Sequence, residues 1–132
     1  MPPQTLDPSV AACEDEFLDI DGWPQAWHVE SQDLAPGKLM LEIFTLFLVH
    51  QLGRGRARKT LRLHRDHLFT LGGQIIRLLH ENPSLRKHGI VRVLGEAIGD
   101  DGGPIIYPAL TESEQRSFDS TCRLLHRFTL LG

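Results

Sequence analysis

Four groups of side chains have types and spacings that chemistry uses, and each points to a different ligand or reaction. His64 and His67 are the one close pair among seven histidines. Two imidazoles three residues apart on a helix can share a zinc ion, but zinc needs two further ligands, and the nearby Asp66 falls on another face. His64 also projects into an apolar stripe, which suits a hydrogen-bonded core or boundary histidine. Ser117, Asp119, Ser120 and His126 gather hydroxyl, carboxylate and imidazole in one short stretch. A nucleophilic triad needs such groups to converge, and side chains strung along one helix do not. Asp100 and Asp101 between glycines resemble a fragment of a calcium loop without its alternating ligands and terminal Glu. They read as a solvated turn. Tyr107, in a proline-bounded loop, reads as a packed aromatic, and Cys13 and Cys122 have no CxxC or CxxH spacing. These residues predict a binding protein rather than an enzyme, with no metal and no cofactor.

The fourth group is cationic. Ten of the fourteen Lys and Arg residues lie between Arg54 and Arg92, where only Asp66 and Glu81 oppose them, a local balance of +8. From Met1 to Glu42 nine carboxylates face Lys38 alone, and from Val93 onward three arginines face six carboxylates. Segregated charge of this kind places a partner's field or folds back to cancel it. Arg54, Arg56, Arg58 and Lys59 crowd a glycine-broken turn at the start of an expected helix, where the helix dipole disfavours cations. Helix stability gives no reason for them there. A polyanion does, since phosphates would meet both the side chains and the free N–H groups of the helix start. The order of glycine and basic residues over Gly53 to Thr60 is wrong for a P-loop, and G-x-S-x-G does not occur.

The elements that hold these residues are helical. Pro36 and Gly37 mark a break, after which Leu39, Met40, Ile43, Phe44, Phe47 and Leu48 recur at helical spacing. Leu41, Leu46, Val49 and Leu52 widen that apolar surface, so the helix over Leu39 to Leu52 is expected at the centre of the core. Gly53 and Gly55 end it. A second helix runs from Arg58 or Lys59 toward His80, with Leu61, His64, Leu68, Leu71, Ile75, Leu78 and Leu79 on one face and Arg62, Asp66, Thr70, Arg77 and His80 opposite. Gly72 and Gly73 inside it predict a kink or a neighbour too close for a side chain. Ser84 is expected to cap a short helix through Leu85 and Lys87, and Ile90 to Ile98 forms another that stops at Gly99. Thr111 and Glu114 form a T-x-x-E capping box for the last helix, whose buried face is Phe118, Cys122, Leu125 and Phe128 or Thr129. Phe44, Phe47, Leu48, Leu61, Leu68, Leu71, Ile75, Phe118, Cys122 and Leu125 are expected to share one core.

Between about Lys38 and Ile76 the chain resembles the N-terminal core-binding domain of tyrosine recombinases and phage integrases, a small SAM-like helical module. The likeness rests on Phe44, Phe47 and Leu48, the turn Gly53 to Lys59, and the run Thr60-Leu61-Arg62-Leu63-His64-Arg65-Asp66-His67-Leu68, similar to the family's T-L-x-x-[YH]-x-x-x-L helix. The resemblance implies DNA contacts at Arg56, Arg58, Lys59, Thr60 and Arg62. It does not imply recombinase activity, because the catalytic domain has no counterpart here.

Together these readings predict an all-α, single-domain bundle of four to five helices, residues 36–132, preceded by an acidic, partly extended arm over residues 1–35. The leading functional expectation is a nucleic-acid-binding accessory or regulatory protein, of the kind a mobile genetic element carries, using Arg54, Arg56, Arg58, Lys59, Thr60 and Arg62. The alternative is a protein-interaction module or inhibitor that engages a partner through the acidic arm and exposed Trp23 and Trp27. The first residues have neither the basic region nor the apolar run of a signal peptide, and Leu39 to Leu52 is shorter than the ~20 residues of a membrane span. A reduced cytoplasmic protein with no membrane association is expected.

Overall fold

Thr111 starts the last helix as its spacing predicts. Its Oγ1 accepts from the Glu114 amide at 3.1 Å, and Glu114 Oε1 accepts from the Thr111 amide at 2.8 Å. The helix that follows spans Glu112–Leu131. Those reciprocal bonds satisfy two amides that a helix start otherwise leaves without partners. The computed structural model describes residues 19–106 and 110–131. Over them the chain forms α1 (Trp23–Trp27), a 3-10 turn (Ser31–Asp33), α2 (Leu34–Gly53), α3 (Arg58–Glu81), a second 3-10 turn (Pro83–His88), α4 (Ile90–Ala97) and α5 (Glu112–Leu131). Among the described residues the only β pairing is an isolated bridge between Gly99 and Gly102, which closes a turn over Asp100 and Asp101. The protein is an all-α single domain.

Nine of the ten expected core side chains share the main hydrophobic cluster, and Leu61 is buried outside it. Each of the ten, from Phe44 to Leu125, is at most 1% exposed. Burial of each large apolar side chain contributes about 1.5–3 kcal/mol relative to exposure. Helix α3 shares the centre of the core with α2, whose Met40, Phe44, Phe47 and Leu48 are all buried. It packs against α1, α2, α4, α5 and the second 3-10 turn, whereas α2 turns Leu39, Leu46 and Val49 to solvent, Leu46 at 62% exposure.

Two boundaries differ from their expected places. Helix α2 begins at Leu34, so Pro36 and Gly37 lie inside its first turn rather than before it. Proline costs nothing there because that turn's amides have no intrahelical acceptor. Gly37 admits α1, since a Cβ at this position would stand 3.2 Å from Pro24 Cβ. Ser84 does not cap; its Oγ donates to Asn82 Oδ1 at 2.8 Å, within a 3-10 turn that opens on Pro83.

The chain before α2 belongs to the bundle. Ile20 and Trp27 are buried in the main hydrophobic cluster, and Trp23 packs against it. Residues 20–33 thus dock on the bundle through these side chains, with α1 and the first 3-10 turn in place of extended chain. Cys13, the acidic residues Glu14, Asp15 and Glu16, and Tyr107 lie outside the described residues.

Gly72 and Gly73 are explained by close approach rather than a kink. Helix α3 runs through both without interruption, and the Trp27 indole lies directly on Gly72, where a Cβ would fall 2.2 Å from Cζ2. The indole Nε1 donates to the Phe69 carbonyl at 2.9 Å, while its ring meets Phe44 edge-on with centroids 6.1 Å apart.

Candidate nucleic-acid interface

The ten cations of the basic segment divide on folding. Arg77 pairs with Glu81, Arg92 with Glu96 and Arg65 with Asp66, all on the surface. Arg86 goes inside. Its Nη2 donates to Asp33 Oδ1 at 2.6 Å, while Asp33 Oδ2 lies 2.8 Å from His80 Nε2 and accepts from the amides of Val29 and Glu30. Burial alone would raise the Asp33 pKa; the Glu30 amide, His80, Arg86 and the Val29 amide outweigh it and hold the carboxyl well below the usual range. Arg86 and His80 thus serve the fold by clamping the first 3-10 turn to α3 and the second 3-10 turn. His80, expected on the solvated face of α3, is drawn partly inward by that carboxylate.

What faces outward is the junction of α2 and α3. Arg54, Arg56, Arg58, Lys59 and Arg62 are exposed and Thr60 is half-buried. The Arg54 amide bonds the His50 and Gln51 carbonyls, and the Gly55 amide bonds Leu52. Gly55 sits at φ 76°, the left-handed conformation that glycine adopts without strain. Ala57 then precedes α3 with no side-chain acceptor for the first amides of the helix. The chain supplies cations and uncapped N–H groups at one place.

Arg127 joins them from the far end of α5, a contact that no local spacing reveals. A cleft of about 280 Å³ opens between the end of α2 and α5, lined by His50, Gln51, Arg54, Arg56, Leu124, Arg127 and Phe128. Arg56 Nε donates to Oε1 of the buried Gln51 at 3.0 Å, which orients its guanidinium. Among the described residues no carboxylate pairs with Arg54, Arg56 or Arg127. In its lining, the rings of His50 and Phe128 stand 5.1 Å apart with planes tilted by 41°.

The tryptophans are not a paired exposed surface. Trp27 is 7% exposed and is a core residue, because Gly72 and Gly73 open a seat for its indole in α3. Trp23 is half-buried, packed at 5.7 Å on Trp27 and at 5.4 Å on Phe69.

His64, His67, Asp119, Ser120 and Cys122, singled out by their chemistry, have structural partners. His64 and His67 both turn Nδ1 to Thr121 Oγ1, at 2.8 and 2.7 Å. Burial lowers the His64 pKa to about 4, with His67 and Arg56 adding repulsion. Burial lowers His67 too, against a partial opposing effect of Asp66. Asp119 anchors the loop before α5: its Oδ1 accepts from the Gly103 amide and from Gln115 Nε2. Ser120 Oγ donates to the Arg116 carbonyl. Cys122 is buried against Gly103, and burial with the nearby Asp119 pushes its thiol up to about 12, Arg123 opposing. It is inert at neutral pH. No helix among the described residues is long and apolar enough to cross a membrane. No protein-family model, curated protein or solved structure matches the chain.

Proposed function

We propose that this protein binds nucleic acid through the α2–α3 junction, with Arg54, Arg56, Arg58, Lys59, Thr60 and Arg62 meeting the phosphate backbone, in an accessory or regulatory role of the kind found in mobile elements. One observation carries the reading. Arg54, Arg56 and Arg127, the last from the other end of the sequence, line a single cleft where no carboxylate of the described residues pairs with them. Three guanidiniums so placed repel one another, and a polyanion relieves that repulsion. Its phosphates would also accept from the uncapped amides at the start of α3. The resemblance of the region from Lys38 to Ile76 to integrase core-binding domains supports the same face.

Binding of the full chain to a DNA duplex and to single strands, followed across a salt series, tests this. On duplex DNA each phosphate contact contributes about 0.9 to the slope of log K against log salt. Replacing Arg56 and Arg58 together by alanine should flatten that slope by about 2 if both touch phosphate. Absence of salt-dependent binding to DNA or RNA of either strandedness would sink the reading.

A further inference from the structure

We propose that the cleft between the end of α2 and α5 holds one unstacked nucleobase with its flanking phosphates, so that the protein prefers single-stranded over duplex nucleic acid. This rests on the nucleic-acid reading above and adds a base to its phosphates. Phosphate recognition alone needs charge, and an aromatic lining adds nothing to it. Yet His50 and Phe128 line this cleft, and Phe128 is braced from behind by Phe47, edge-on with ring centroids 5.7 Å apart. The braced ring offers a face held in one orientation, which is what a stacking platform requires. Arg54, Arg56 and Arg127 line the same cleft. Guanidinium planes stack on bases as well as bond phosphates, and they do both with the same atoms in reach.

Access selects the strand. At about 280 Å³ the cleft lies just under the ~300–1,000 Å³ of ordinary ligand pockets and has room for one planar base. A base inside a duplex reaches such a cleft only by being flipped out, whereas a single strand presents its bases already unpaired. The exposed turn leading to Lys59 and α3 continues from the rim and offers a track for the strand on one side of the inserted base.

The test compares the full chain on three probes over the same salt range: a thymidine oligonucleotide of about 12 residues, an abasic strand of equal length, and a duplex. The wild-type protein should bind the oligonucleotide about ten-fold more tightly than the abasic strand, since one stacked base supplies that order of affinity. Phe128→Leu, which keeps apolar packing on Phe47 while removing the ring, should abolish that difference. Arg127→Gln, at an exposed position, should weaken the oligonucleotide and spare the helical fold seen by circular dichroism. Equal binding of oligonucleotide and abasic strand by wild type overturns the cleft assignment while leaving the phosphate reading standing. Loss of all binding to all three probes refutes both. Tighter binding of a glutamate–tyrosine copolymer than of the oligonucleotide would assign the cleft to an acidic protein partner instead.

Discussion

Gly72 shows how a single absent side chain sets the position of a whole segment. In an open helix, replacing glycine by alanine gains up to about 1 kcal/mol. Here the added methyl would collide with the Trp27 ring, so Gly72→Ala should instead destabilise by about 1–3 kcal/mol. Urea denaturation checks the sign, and red-shifted tryptophan emission should accompany it as the indole leaves the core. Thr121 is a second such residue, one hydroxyl serving two imidazoles. A buried imidazole whose pKa is lowered takes up its proton more readily after unfolding. The stability it contributes is therefore complete above pH 6.5 and is lost as pH falls through 6.5 toward about 4. For His64 that loss amounts to roughly 3 kcal/mol, and His67 acts in the same direction. Denaturation midpoints measured from pH 7.5 to pH 4 should fall in this window, and His64→Gln should flatten the fall. The Asp33 contribution has the opposite kind of group and a lower window, present above the ordinary carboxylate value of 3.8 and lost beneath it.

At the level of the element, local signals decide where helices start, and long-range contacts decide how close they lie. Thr111→Ala removes the hydroxyl that accepts from Glu114 and should cost about 1 kcal/mol. Thermal melts of this variant beside Ser113→Ala, one residue inside the helix, separate loss of the cap from a general change in helix propensity; equal melting temperatures would remove the cap from the account. Helix α3 carries the opposite design, an uncapped start among arginines. A helix optimised for stability places acids in its first turn, so the arrangement at Arg58 and Lys59 is the element-scale counterpart of the proposed polyanion contact.

At the level of the molecule, the acidic first segment and the basic junction oppose each other in a chain of net charge −3. Ile20 is 1% exposed in the core, so a truncation that leaves the bundle intact has to stop before it. Removing residues 1–18 takes away Asp7, Glu14, Asp15 and Glu16 and no base, changing the net charge from −3 to +1. Affinity for nucleic acid should rise, most at low salt, where charges farther apart than a Debye length still interact. Unchanged affinity at low ionic strength would mean that this segment does not oppose binding.

Helix content, the ten core positions and the Thr111 cap were legible in the chain because each depends on residues within a few positions of one another. Hydrophobic period and capping are local properties, and the backbone expresses them wherever the segment packs. The start of α2 was misplaced for a related reason: Pro36 and Gly37 carry a local meaning as breakers, which the first-turn position and the approach of Pro24 reverse. The rest turns on distances that no spacing encodes. Trp27 reads as an exposed anchor until Gly72, far along the chain, leaves a seat for it. Arg86 reads as part of a basic patch until Asp33 draws it inside. Arg127 stands in an acidic stretch of sequence, yet it completes the basic cleft, because charge acts through space and the fold brings the end of α5 beside the end of α2.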